Sequence, residues 1–436
     1  MVSSTSVSIS EVRAVINEHL PGLWPMVDVG LSVCATLLLR DNANPAAVIY
    51  TGPPGASKTT TASLFMGHEL TYLSDNFTPA AFVSHAANVG KAKLAEVDLL
   101  PRIRHRVLIT PELAPLFRGK EDELSKQFGI LIRVLDGQGL QTDSGTHGQR
   151  GYQGDYLFAW LGCTTPFPER IWNLMAQLGS RLFFLLMDSL AEETVEDLVA
   201  SQDGIQYSER IEEGRRWVHA YLTELFARHG GVRGVHWQPS GDSKIVLDSV
   251  AHLAKLLVAV RSGVGNESAK RAFAIFRNLA RGHALVHGRT QLSEDDLPVI
   301  GQLTASSLPS RLRGVMLCLV NGDSKGVSVE TVQKALGVAH SQTARDAMRA
   351  LAGRGVAKYE EYGQGQAATL FLRPEWMFCQ TAWYRALLNG ELVSNPGLCV
   401  PSPNLAQRHR EEERDGGGGY THPLESDKGA EVSAHA

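Results

Sequence analysis

The sequence is short of cysteine, of long apolar runs and of any excess of one charge, and each shortage excludes a class of protein. Five cysteines (Cys34, Cys163, Cys318, Cys379 and Cys399) are spread over 436 residues without close pairs. Neither a disulfide framework nor a CxxC metal site is readable from them, and a reducing, cytoplasmic setting is expected. The longest weakly charged stretch, Leu23 to Leu39, is interrupted by Asp28 and falls short of the roughly 20 apolar residues that cross a bilayer. It reads as a buried amphipathic helix, and no membrane partner is expected. The N-terminus is Ser-rich, contains Glu11 and has no basic apolar leader, unlike a secretory signal. Lys plus Arg number 42 against 46 Asp plus Glu, a net charge of −4. That balance excludes a surface that coats nucleic acid throughout but permits one basic module. Of the fifteen histidines, His105, His283 and His287 lack companions at HExxH or Cys/His spacing, so no zinc constellation is expected.

What is present is a change of period along the chain. Residues 10–40 read as two helices, since Val12, Val15, Ile16 and Leu20 follow helical spacing and Pro21-Gly22 interrupts them. Ala46 to Tyr50 is a short apolar run that ends in a Gly/Pro loop and precedes a helical stretch from Thr59 to Leu70. Val107 to Thr110, Tyr156 to Cys163 and Arg181 to Met187 are strand-like. Strands alternating with helices predict a largely parallel sheet covered on both faces. The Gly- and polar-rich stretch 137–154 reads as a surface loop, with a mobile hairpin as the other reading. From 190 to 300 the pattern is helical, including Leu247 to Val260, and Ser293 with Asp296 forms a helix N-cap. After Pro401 the chain turns polar, with a glycine tract at Gly416 to Gly419, and reads as disordered.

The most specific motif is Gly52-Pro53-Pro54-Gly55-Ala56-Ser57-Lys58-Thr59, followed by Thr60, between a predicted strand and a predicted helix. There, backbone amides of the loop face phosphates, Lys58 adds a point charge and Thr59 ligates Mg2+. Ser57 stands where the pattern has glycine. Catalysis also needs a carboxylate at a neighbouring strand end, and Glu112, after Val107 to Thr110 and Pro111, supplies one without an acidic partner before it. Thr164-Thr165-Pro166 places hydroxyls where they can meet a phosphate or the attacking water. Gly179-Ser180-Arg181 puts an arginine directly before an apolar strand, the kind of residue that can reach a phosphate held by an adjacent subunit.

In this order and spacing the set resembles an AAA+ ATPase, over roughly residues 25 to 300. Ser180-Arg181-Leu182-Phe183 is similar to the Ser-Arg-Phe of the minichromosome-maintenance helicase branch, and the neighbourhood of Leu99-Leu100-Pro101 resembles phage- and plasmid-borne ATPases near it. The resemblance implies an α/β fold: a three-layer P-loop NTPase core with its parallel sheet between helices, followed by a helical lid. It assigns catalytic roles to Glu112, Thr165, Arg181 acting in trans, and Arg271 as second nucleotide sensor at the start of Lys270-Arg271-Ala272-Phe273, with Arg277 as the fallback. It also implies ATP and Mg2+ as cofactors, with Thr59 and Glu112 holding the metal, and a homo-hexameric ring. The implied divisions are a helical segment 1–44, a nucleotide-binding core 45–200, a lid 201–305, a further domain 306–376 and an extension 377–436.

Residues 310–376 read as three helices and a two-stranded wing and resemble a winged helix-turn-helix. Ala344, Ala347, Met348 and Leu351 share one face of the third helix, and Gln342, Arg345 and Arg349 the other. Lys358 lies on the wing, whose strands are expected to turn at Gly363-Gln364-Gly365. Nine Lys or Arg against six Asp or Glu in this stretch make it slightly basic, and these four residues are the DNA-binding candidates. The expectation is an ATP-hydrolysing, DNA-acting, helicase-like ring. The alternatives are a slow nucleotide-dependent switch, loader or regulator, and a remodeller that grips protein through the winged helix or tail.

Overall fold

A computed structural model describes residues 7–85, 93–145, 148–175, 179–187, 206–362 and 368–391 of the chain. The chain starts with α1 (Ile9–His19) and α2 (Trp24–Ala35). Ser8 and Glu11 cap α1 reciprocally, which satisfies two amides that a helix start leaves unpaired. The helix expected to be amphipathic, α2, is buried on almost every side, because it is sandwiched between the sheet and a later helix. β1 (Ala46–Thr51) runs into the Gly/Pro loop 52–57 and α3 (Lys58–Ser63). This helix stops short of the expected Leu70: Ser63 Oγ bonds back to Thr60 O at 2.7 Å, and the chain turns at Gly67, φ +85°, to enter β2 (Thr71–Leu73).

After two short helical turns, Leu94–Val97 and Leu99–Ile103, come β3 (Val107–Thr110), α4 (Glu121–Val134), β4 (Gly139–Ser144), β5 (Gly148–Gln153), β6 (Ala159–Thr164), α5 (Glu169–Met175) and β7 (Leu182–Leu186). Five of these strands form one parallel sheet in the order β2-β3-β6-β1-β7. Side chains alternate across a strand, and the two apolar cores follow that alternation. Ala46, Val48 and Tyr50 of β1 enter one core, while Ala47 and Ile49 enter the other. A sheet buried on both faces is what unbroken apolar runs predict.

Stretch 137–154 is a correction to the surface-loop reading. Its strands β4 and β5 pair antiparallel from Gly139↔Gln153 to Ser144↔Gly148. The hairpin is pinned through the wholly buried Asp98, which accepts from Arg150 Nη2 and Tyr152 OH, each at 2.7 Å.

The second half is α6 (Tyr207–Arg228), α7 (Lys244–Ser262), α8 (Lys270–Val286) and α9 (Leu297–Ser306). Ser293 and Asp296 form the expected cap, as a capping box. Then follow α10 (Ser310–Asn321), β8 (Val327–Ser328), α11 (Val329–Leu336), α12 (Ser341–Gly353), β9 (Ala357–Glu360), β10 (Thr369–Leu372) and α13 (Ala382–Asn389). Ser328 caps α11 and Gly337 closes it in the left-handed region. The small sheet has three strands in the order β8-β10-β9, one more than the sequence indicated. The expected turn at 363–365, the segment around residue 200 and the tail beyond 391 lie outside the described residues. The first core is continuous from Val12 in α1 to Leu388 in α13. Among the described residues no helix is long and apolar enough to cross a membrane.

Candidate functional site

The register of the parallel sheet brings the loop 52–59, Glu112 and Thr165 to one edge. Thr51 pairs with Thr164, and Thr110 pairs with Gly162, so Glu112, two residues beyond Thr110, comes level with Thr164 and with the start of the phosphate loop at Gly52. Ligands of open α/β sheets bind at this carboxyl edge of the strands. The turn after β3 is fixed to β6 by Leu113 N donating to Cys163 O at 2.8 Å. Cys163 also marks the convergence. Burial pushes its thiol up to about 12, Lys58 pulls it back and Glu112 adds to the rise. Two opposite charges therefore flank one buried thiol, whose Sγ meets Lys58 O at 3.3 Å.

The loop itself is folded for close approach. Gly52 has no room for a side chain, since a Cβ would lie 2.2 Å from Met187 O. Gly55, at φ +85°, meets nothing within 4 Å and leaves the tip open. Pro53 and Pro54 are exposed beside it, and Ala56 is buried. Ser57 occupies the left-handed region at φ 54°, ψ 19°, a conformation that glycine takes at less cost. Lys58 Nζ donates to Gly52 O at 2.9 Å and Pro53 O at 2.6 Å. Thr59 is exposed on the first turn, and Thr60 Oγ1 lies 3.0 Å from Tyr207 OH, tying the loop to α6. Glu112 Oε1 accepts from Ala114 N at 2.8 Å. Thr165 is exposed, its carbonyl accepting from Thr164 Oγ1 at 3.1 Å.

Arg181 and Arg271 lie elsewhere. Arg181 precedes Leu182, which pairs with Ala47 near the start of β1, so it stands at the amino edge of the sheet. Four strand residues, about 13 Å, separate that level from the loop. Arg271 joins it there: Asp136 Oδ1 accepts from Arg181 Nε at 3.1 Å and Nη2 at 3.0 Å, and also from Arg271 Nη1. Burial and then the neighbouring Arg271 push the Arg181 guanidinium down, while Asp136 pulls it back. Both arginines line an open cleft of about 730 Å³ together with Lys270 and Glu267. Neither faces the phosphate loop of its own chain. Arg277 stacks over Phe273 at 6.0 Å within the helical half. Asp136 was not singled out in the sequence, because nothing local marks a residue that pairs 45 and 135 positions away.

The exposed face of α12 carries its expected residues, opposite the buried Ala344, Ala347, Met348 and Leu351. Carboxylates meet Gln342 and Arg349 there, and Lys358 on β9. Gln342 Nε2 donates to Asp346 at 2.8 Å, Arg349 to Glu361 at 2.6 Å, and Lys358 to Glu360 at 2.7 Å. Among the described residues no ion pair holds Arg345.

No protein-family model and no curated protein matches the chain. Among solved structures it is similar to a provisionally named ATPase from Cytophaga hutchinsonii, with 13% identity, 69% of this chain and 85% of that chain covered, and a TM-score of 0.35.

Proposed function

We propose that the chain is a P-loop ATPase that holds Mg2+-ATP on residues 52–60. The observation that carries the reading is the state of Lys58. Its ammonium rests on two neutral carbonyls, and among the described residues no carboxylate pairs with it, at the mouth of a loop whose tip is open. A half-buried cation that no carboxylate contacts directly attracts an anion, and a triphosphate satisfies it. The oxygen donors present, the Thr59 hydroxyl and the Glu112 carboxylate, suit Mg2+. Released from Ala114 N, Glu112 would hold that metal or orient and deprotonate the attacking water. Thr165 holds the same water or the terminal phosphate.

Arg181 and Arg271, at the far edge of the sheet, serve the site of the next subunit in a homo-oligomeric ring of six, where Arg181 stabilises the charge of the transferring phosphoryl group. Residues 310–376 act as a winged helix that meets DNA through Gln342, Arg345, Arg349 and Lys358. Because intramolecular carboxylates already hold three of these, phosphate contacts replace existing pairs, and Arg345 leads the contact. The left-handed Ser57 and the parked Glu112 favour a second reading of the same site, a slow ATP-dependent switch.

Calorimetry with Mg2+-ATP tests the first step. The unaltered chain and Glu112→Gln bind, whereas Lys58→Ala weakens binding at least tenfold. Turnover falls at least a hundredfold in Glu112→Gln. Absence of binding by the folded, unaltered chain refutes the ATPase reading. DNA that stimulates turnover supports the motor, and tight binding with negligible turnover on any DNA supports the switch.

A further inference from the structure

The helical half brings together three side chains that the phosphate site does not use. His283 and His287 sit one turn apart at the end of α8, and Asp28 of α2 reaches them from 259 positions away in sequence from His287. His287 Nε2 lies 3.0 Å from Asp28 Oδ1, and His283 Nε2 lies 3.3 Å from Asp28 Oδ2. One donor atom from each residue lies within 4.8 Å of the other two. A tetrahedral ion with bonds of about 2.0–2.1 Å sets its donors about 3.4 Å apart, so the three need little movement to share one.

The surroundings are built as an outer shell. His283 Nδ1 bonds to Asp296 Oδ1 at 2.6 Å, which orients the ring and, in its neutral form, leaves the Nε2 lone pair facing Asp28. Asp296 is wholly buried and held in turn by Ser293 N at 2.9 Å and by both Nη atoms of Arg289, at 2.9 and 2.7 Å. The charge of Asp296 is thereby matched by Arg289, and that of Asp28 remains for a cation. The His287 side chain, 29% exposed, leaves a way in from solvent and room for water as a fourth ligand.

We propose that Asp28, His283 and His287 form a binding site for a divalent transition-metal ion of the zinc class, with Asp296 as the residue that positions His283. Two imidazoles and one carboxylate are a donor set for such ions and a poor one for Mg2+ or Ca2+. The competing occupant is a proton. Burial alone pushes the His283 imidazole down, but Asp28 and Asp296 outweigh it and push it up. An ion here staples α2 to α8, independently of whether the phosphate loop binds ATP.

The test is equilibrium dialysis of the full, chelator-stripped, nucleotide-free chain against Zn2+, with Co2+ absorption as the probe of tetrahedral coordination. The unaltered chain is expected to hold one zinc more per chain than His287→Ala or Asp28→Asn, or to bind it at least tenfold more tightly. The tetrahedral cobalt spectrum and a zinc-dependent rise in melting temperature are expected in the unaltered chain alone. Histidines elsewhere give all three proteins the same background. Equal stoichiometry and affinity in the three, or no zinc on the unaltered chain, overturns the proposal. If Asp28→Asn does not fold, His287→Ala, at a partly exposed position, decides alone.

Discussion

Ser57 departs from the motif's glycine and takes a left-handed backbone, φ 54°. Glycine takes that backbone at less cost, and the Ser57 side chain makes no capping hydrogen bond in return. The left-handed conformation costs a residue with a Cβ roughly 1–2 kcal/mol, while a glycine loses up to about 1 kcal/mol more backbone entropy on folding. Ser57→Gly is therefore expected to raise unfolding stability by up to about 1 kcal/mol, read as a higher denaturant midpoint at unchanged slope. A lower midpoint would show that the serine makes a compensating contact in the folded loop. The strand and helix around this loop were legible because the motif is contiguous, eight neighbours of which one is lysine. Asp136 and Asp28 were not legible, since each acquires its partners only through folding. His283 and His287 do stand at the i, i+4 separation of a metal-binding pair, but with no glutamate between them and Asp28 brought in only by folding, nothing in the sequence pointed to a zinc constellation there.

At the scale of elements, what decided legibility was whether burial leaves a period. β1 and α12 show theirs plainly, one alternating between two cores and the other presenting Ala344, Ala347, Met348 and Leu351 on a single stripe. The hairpin β4–β5 hides its pairing, because glycines replace the side chains that would reveal it. At Gly139 and Gly151 an added Cβ would lie 2.2 and 2.1 Å from carbonyls of the facing strand. The closeness of α2 to α8, on which the cluster of Asp28 with His283 depends, was equally hidden. It rests on Gly282, whose Cβ would stand 2.3 Å from Ser32 O. Gly282→Ala pushes a backbone atom away and is expected to cost about 1–3 kcal/mol, as overpacking does. Gly129 is exposed on α4 with nothing within 4 Å, and alanine there is expected to add about 0.5–1 kcal/mol through helix propensity and chain entropy. Chemical denaturation of the two variants should separate them in opposite directions. A neutral Gly282→Ala would mean that the helices can part without loss.

For the whole molecule, the decisive geometry is that its two sets of candidate phosphate ligands lie at opposite edges of one sheet. The loop, Glu112 and Thr165 share the carboxyl edge, and Arg181, Arg271 and Asp136 share the amino edge. Strands of fixed length keep them about 13 Å or more apart, and no rotamer change closes that gap within a chain. On the proposed function, one chain supplies the loop and its neighbour the arginines, so each site forms only between subunits. Two dead variants then carry complementary defects. Lys58→Ala keeps its arginine edge and Arg181→Ala keeps its phosphate loop, so a mixed assembly contains some interfaces with both halves intact. ATP turnover measured on the mixture is expected to exceed the sum of the two variants alone and to peak near equal proportions. Asp136 predicts the accompanying detail: Asp136→Asn removes the carboxylate that sets both guanidinium groups and should lower turnover while leaving ATP affinity, measured by calorimetry, unchanged. If the mixture stays inactive although both variants fold and co-assemble, Arg181 has no role in a neighbouring site, and the pairing with Asp136 is structural.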